Sequence, residues 1–379
     1  MTLAVARDPD LRAARLKAGV AEAQLFAAGL PPDPRLSASV GRGPEFTGYS
    51  LGVSEDVQAF VVRPAVVSGA RARHRQVDLT ILWKERRTAL AAGRLFLRLL
   101  EDENLQGVIE RNRKLLAQQY ELDQADFQQS AAAVSRAAAD LTVLSDADAR
   151  SRQVQLDADA ARHALDYMLG LPPEARPQLK ATEAPTSQPL SEEQFKAAVA
   201  ALAAHRVDLL ALQAGYESQE QRLRAAVLAQ FPALDVGVQW GQDPAEGKHT
   251  TDLTLGVGLP IFNRNKGRVA VERASREALR AEYQARLDRA ANDADRLWRA
   301  SRIMSEQLAR LQAQTAALKT LARAAEQQFR SGQMDTGAYV GLETSLLKDE
   351  EETIHLQAAQ ESDLLALRAS LGLPPSIRW

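Results

Sequence analysis

The chain contains no cysteine among its 379 residues. Disulfides, thiolate catalysis and cysteine-based zinc sites are thereby excluded, and no lipid-modified cysteine is expected at its start. Aromatic residues make up only 5%, and alanine supplies much of the 45% hydrophobic fraction. Alanine favours helix and lets helices approach closely, but it removes little area from water. Thin helix-on-helix seams are therefore expected in place of a thick core. Charge of one sign is lacking too. The net charge is −2, and no clustered basic face argues for nucleic acid. No run approaches the roughly 18 apolar residues that a membrane-spanning helix requires. The first ten residues show no basic segment followed by an apolar one. A cytosolic chain, or one that begins after a removed signal, is expected on that ground. Walker, dinucleotide-binding and nucleophile-elbow signatures are also missing. No enzyme and no cofactor are expected. His74, His163, His205, His249 and His355 are scattered, so no metal site is expected either.

What the sequence does have is a repeat. Leu169-Gly170-Leu171-Pro172-Pro173 recurs 202 residues later as Leu371-Gly372-Leu373-Pro374-Pro375. Asp10-Leu11 answers to Asp208-Leu209, and Pro34-Arg35-Leu36 to Pro232-Ala233-Leu234, each 198 apart. One supersecondary unit built twice is the expected organisation. The first copy is placed at 1–171, a linker rich in Pro, Ala, Thr and Ser at 172–190, and the second copy at 191–379. Each copy reads as helix, two strands, very long helix and return helix.

In the first copy a helix is expected over about Leu3–Leu30, ended by Pro31, Pro32 and Pro34. Strands are expected over about 35–43 and 48–60, and Gly69 is taken as the exit into the long helix. In the second copy, strands are expected over about 234–242 and 252–262. Leu253, Leu255, Val257 and Leu259 then face one way, and Thr254, Gly256 and Gly258 the other. Pro260, Asn263 and Gly267 mark the corner into a helix expected over about 264–330, roughly 100 Å at 1.5 Å per residue. Leu308, Leu311, Thr315, Leu318, Ala322, Ala325 and Phe329 follow a 3-4 spacing, a coiled-coil seam. A fainter one in the first copy takes Leu105, Val108, Asn112, Leu115, Gln119 and Leu122. Gly332 breaks the second long helix, and the matching break in the first falls near Ser130.

Four strands are too few to close a barrel, and an open sheet leaves unpaired backbone at its edges. One strand face is small and polar and the other aliphatic. That pattern suits a half-buried sheet with one wet face. It equally suits strands of a water-filled barrel in lipid, polar inward and apolar outward. Adjacent helices far too long for such a sheet to cover favour the barrel, shared among several protomers. Trp240, with Tyr49 and Phe262, would serve as interfacial aromatics.

The run Phe231-Pro232-Ala233-Leu234, followed by Leu255-Gly256-Val257-Gly258-Leu259-Pro260-Ile261-Phe262-Asn263-Arg264-Asn265-Lys266-Gly267-Arg268-Val269-Ala270, resembles the second hairpin and exit of TolC-type outer-membrane efflux proteins. The flavour is that of CzcC-like members serving heavy-metal resistance pumps. The resemblance covers essentially the whole chain. It implies a mainly α, α+β fold and a homotrimer whose twelve strands form one barrel in outer-membrane lipid of a Gram-negative bacterium. A helical barrel would continue into the periplasm. The partners implied are a periplasmic adaptor and an inner-membrane RND-type pump, and the function is passive export of metal ions or small toxic molecules. A coiled-coil scaffold or a periplasmic adaptor is the alternative, although an adaptor carries one helical hairpin where this chain repeats its unit.

The resemblance places adaptor docking at the tip formed by Gly332, Asp335 and Ser130. Asp335 either rings a constriction in three copies or caps the return helix, the commoner role for Asp just past a break. Glu343, two turns on, either faces the lumen or is a solvated acid. Where family members close their tip with aspartates, this chain reads Ala338-Tyr339-Val340-Gly341, so gate residues do not carry over. The Arg71-Arg73-His74-Arg75 cluster is read as the start of the first long helix, lying at a lipid interface or on a solvated face.

Overall fold

The computed structural model describes residues 1–42, 47–125, 131–172, 174–175, 189–242 and 247–374, with side chains except at 131–133. The elements run α1 (Thr2–Arg7), α2 (Pro9–Gly29), β1 (Arg35–Arg42), β2 (Thr47–Asp56), α3 (Val57–Ala125) and α4 (Ala131–Met168). They continue as α5 (Glu192–Ala200), α6 (Leu202–His205), α7 (Val207–Leu228), β3 (Ala233–Gln242), β4 (His249–Gly258), α8 (Lys266–Arg330) and α9 (Thr336–Ser370). The order α2-β1-β2-α3-α4 is thus followed by α7-β3-β4-α8-α9. No described helix is long and apolar enough to cross a membrane.

Two compact units cut across this order. One comprises Ala13–Trp83 and Arg206–Arg289 and holds the sheet; the other comprises Met1–Arg12, Lys84–His205 and Ala290–Trp379. Each draws on both halves of the sequence. Most of the 172–190 linker lies outside the described residues. Its end is marked by Ser191, whose side chain accepts from Gln194 N while the Gln194 side chain accepts from Ser191 N, a capping box that starts α5.

The sheet has the order β1-β2-β3-β4 with antiparallel pairing throughout. Residues opposite one another share a face. Leu36, Val53, Val238 and Leu253 form one row, and Ala38, Leu51, Trp240 and Thr251 another on the same face. The alternating rows are small and polar, such as Ser37, Gly52, Gln239 and Asp252.

The helical unit is held by narrow stripes. On α8 one stripe of buried or half-buried positions runs Ala290, Ala294, Leu297, Ser301, Met304, Leu308, Leu311, Thr315, Leu318, Ala322, Ala325 and Phe329. The 4-3 spacing is unbroken, so the expected seam is real and extends further toward the helix start. On α3 two stripes are buried. Leu105, Val108, Asn112 and Gln119 belong to one, and Ile109 and Leu116 to the other. Leu122, expected in the seam, is 56% exposed.

Both copies of Leu-Gly-Leu-Pro are helix stops. Gly170 and Gly372 sit at φ 62° and 73°. Leu171 N donates to Asp166 O (3.0 Å) and Leu373 N to Arg368 O (2.9 Å). This is the Schellman arrangement, which needs a left-handed residue that glycine adopts without strain.

Three local expectations are corrected. The helix expected over Leu3–Leu30 is two helices. Asp8 precedes Pro9, which pushes it out of helical conformation (φ −52°, ψ 121°), and its side chain accepts from Leu11 N at 2.9 Å to start α2. The strand expected to reach 60 ends at Asp56. Asp56 Oδ1 accepts from Gln58 N (2.9 Å) and Ala59 N (3.3 Å), capping α3 directly. Gly69 and the Arg71-Arg73-His74-Arg75 cluster therefore lie inside α3. Gly69 lets α7 close in: Ser218 Oγ donates to Gly69 O at 2.9 Å, and a β-carbon at Gly69 would meet Gln221 at 3.3 Å. In the second copy the last strand occupies His249–Gly258, shifted back from 252–262.

Candidate functional site

The sheet is inverted relative to a soluble one. Its apolar face carries Leu36, Val40, Tyr49, Leu51, Val53, Trp240, Leu253, Leu255 and Val257, all exposed. No described helix covers them. Every residue of β1 and of β4 is exposed. Among the described residues each of these strands has one strand neighbour, so both edges of the described sheet are open.

The opposite face is wired by polar side chains. Arg35 Nη1 donates to Asp235 Oδ1 at 3.2 Å, Ser39 and Ser50 share a hydrogen bond at 2.7 Å, and Gln239 Nε2 donates to Ser50 Oγ at 2.6 Å. Small residues keep this face low. A β-carbon on Gly241 would lie 2.6 Å from Tyr49 O. Such a polar, low-profile face is suited to contact with water.

The strand-to-helix corner is built by residues near those expected. Pro260 follows the end of β4, and Asn263 O accepts from Lys266 N at 3.0 Å. The conformational burden falls elsewhere, on Arg264 and Asn265, at φ 44° and 50°. Asn265 Nδ2 donates to Ala226 O (2.8 Å), and Gln230 Nε2 to Arg264 O (2.9 Å), tying the corner to the end of α7. Asn tolerates the left-handed region through its short polar side chain, a signal present in Asn263-Arg264-Asn265. A β-carbon at Gly267 would meet nothing, so space does not demand glycine there.

The α8–α9 turn contains Gly332 at φ 72°, with Gln333 N donating to Gln328 O at 2.9 Å. Asp335 is the N-cap of α9; its Oδ2 accepts from Ala338 N at 3.2 Å. Phe329 and Tyr339 stack across the turn at 4.7 Å. Glu343 is half-buried. Its carboxyl is pushed up by burial first, then by the charges of Glu326 and Glu350. Ser130 lies outside the described residues. Near that end of α3 and α4, a carboxyl pair escaped the sequence reading. Asp140 is pushed up to about 6, by burial first and then by its hydrogen bond to Asp123 and the Asp123 charge. Capping and charge separate cleanly at Asp335. Asp335→Ala should destabilise α9 by about 1 kcal/mol in thermal melts, whereas Asp335→Asn should cost only a few tenths, because Asn caps as well as Asp.

The histidines are dispersed. His74 meets Asp78 at 3.1 Å, His163 meets Asp159 at 3.4 Å and His355 meets Glu101 at 2.6 Å. Among the described residues no three potential ligands converge on a metal position.

No family model and no curated protein matches the chain in sequence. Solved structures do match its fold. The outer-membrane channel OprN superposes with a TM-score of 0.81 at 17% identity, covering 98% of this chain and 89% of that one. CmeC, an outer-membrane channel of Campylobacter jejuni, gives 0.79 at 15% identity, with 99% and 86% covered. VceC, an outer-membrane protein of Vibrio cholerae, gives 0.76 at 17% identity, with 98% and 94% covered. The chain has the TolC-like fold that these outer-membrane proteins share.

Proposed function

We propose that the chain is the outer-membrane exit duct of a tripartite efflux system. The observation that carries this reading is the inverted sheet, apolar and uncovered on one face, polar on the other, with both edges open. Three copies would supply twelve strands. β1 and β4 run antiparallel in the observed order, so the β4 edge of one copy can pair with the β1 edge of the next and close an antiparallel barrel with an even strand count. Closure removes the open edges, turns the apolar face to lipid and encloses the polar face around water.

The aromatic spacing supports the same reading. Tyr49 and Trp240 stand near the hairpin turns, and exposed Phe231 and Phe262 stand at the helix end of the sheet. From Phe231, two residues before β3, to Trp240 the chain advances at most about 30 Å at ~3.4 Å per residue. A strand tilt of 35–45° reduces this to roughly 22–25 Å, close to the ~25 Å apolar band between the aromatic girdles of outer-membrane barrels.

In this reading the helical unit lies in the periplasm. The turn with Gly332 and Asp335 forms the tip where a periplasmic adaptor docks, and Ser130, outside the described residues, is the matching position expected from the first copy. An inner-membrane RND-type pump supplies the energy, and the duct passes metal ions or small toxic molecules without chemistry of its own. Asp335 and Glu343 are the candidate lumen charges on this side of the tip. The test is extraction. The protein should leave outer membranes only with detergent, as a trimer, and should conduct ions in planar bilayers. A monomer that stays soluble without detergent would sink the proposal and favour a scaffold.

A further inference from the structure

Within the helical unit, one junction joins α3, α4 and α9 through an unbalanced set of charges. Arg98 on α3 is its hub. Its guanidinium lies 3.4 Å from Glu101, 3.3 Å from Asp102 and 3.1 Å from Asp157 of α4. Glu101 is also 2.6 Å from His355 Nδ1 of α9. Gln153 Nε2 donates to the other oxygen of Asp157 at 2.9 Å. One guanidinium therefore faces three carboxyl groups, and the imidazole adds positive charge only when protonated.

Asp102 is the strained member. Its residue is 1% exposed, yet neither of its carboxyl oxygens accepts a hydrogen bond from a described residue. Glu101 and Asp157 each have a second polar partner; Asp102 has only the guanidinium it shares with them. An ionised carboxylate without water or hydrogen bonds is costly, and such a group relieves the cost by taking up a proton. A proton on Asp102 would also leave Arg98 to the two better-placed acids.

We propose that Asp102, with Arg98, Glu101, Asp157 and His355, forms a proton-operated clasp that holds α9 against α3 and α4 more tightly in acid than at neutral pH. The groups facing Asp102 set the direction. Burial raises its pKa from 3.8 to about 6, Arg98 and His355 oppose the rise, and Glu101 and Asp157 add to it. A raised value in the closed junction means that the stabilisation is full below the ordinary carboxylate pKa and is lost as pH rises through about 6. On the channel reading, α9 leads away from the tip, so an acidic medium would stiffen the helix that carries it. The clasp itself does not depend on that reading.

Amide hydrogen exchange of the purified full-length protein tests it without any channel activity. After correction for intrinsic rates, opening near His355 should be about tenfold rarer at pH 5 than at pH 7, given the two pKa values. Asp102→Asn should show little opening at both pH values. His355→Gln, a change at a half-exposed side chain, should keep the slope. A flat wild-type profile would overturn the proposal. So would a wild-type slope persisting in Asp102→Asn, or a slope lost in His355→Gln, which would assign the proton to the imidazole. If Asp102→Asn fails to accumulate, the wild-type and His355→Gln profiles decide.

Discussion

Leu253→Arg should abolish recovery of the protein as a membrane-inserted trimer, while Thr254→Arg, one residue along the same strand, should leave it intact. Leu253 is 78% exposed in the middle of β4, in the row with Leu36, Val53 and Val238. On a solvated surface a guanidinium at such a position costs almost nothing. On the lipid face of a barrel it costs about 2–4 kcal/mol near the midplane. Three copies would raise that to roughly 6–12 kcal/mol per trimer, comparable to the whole stability of an ordinary domain. Thr254 stands opposite Gly237 on the polar face, where an arginine would reach water. Detergent extraction followed by size analysis reads both variants. Equal behaviour of the two would remove the inverted sheet as evidence for a membrane.

The second large effect is expected at the α8–α9 turn, which the proposed function makes the docking tip. Gly332→Val should impair assembly with the adaptor while leaving insertion of the sheet unchanged. Gly332 adopts φ 72°, and a β-carbon there would meet no other atom. The penalty is therefore purely conformational, about 1–2 kcal/mol for a side chain in the left-handed region and more for a β-branched one. That corresponds to a roughly 5–30-fold loss of the native turn. Gly332→Asn is the control, since Asn also occurs at left-handed helix ends. The sheet belongs to the other compact unit, so an equal loss of insertion and assembly would count against docking at this turn.

The sequence was legible where one physical signal acted alone. The seam from Leu308 to Phe329 follows from heptad spacing, and the repeated Leu-Gly-Leu-Pro follows from the backbone needs of a helix stop. The alternation in Leu253–Gly258 disclosed both faces of β4. Reading failed where signals competed. Val57 and Phe60 favour a strand by residue type, which carries the expected strand to 60 and puts the exit into the helix at Gly69. The capping carboxylate of Asp56 prevails instead, and α3 runs through Pro64. Leu122 was assigned to a seam because one stripe was assumed; α3 buries two, and the second passes through Ile109 and Leu116. Asp102 was invisible because a polar residue on a helix reads as solvated. In the structure that carboxyl is buried beside Arg98, at a junction tied to α4 and α9.

The exits from the two hairpins differ. β2 passes into α3 between Asp56 and Val57 with no intervening residue, whereas seven residues separate Gly258 from Lys266. The first connection is direct, whereas the second has seven residues in which to turn, two of them tied to the end of α7. Inserted residues should therefore be tolerated at 259–262, ahead of that tied bend, and not between 56 and 57, where they would part the Asp56 cap from α3.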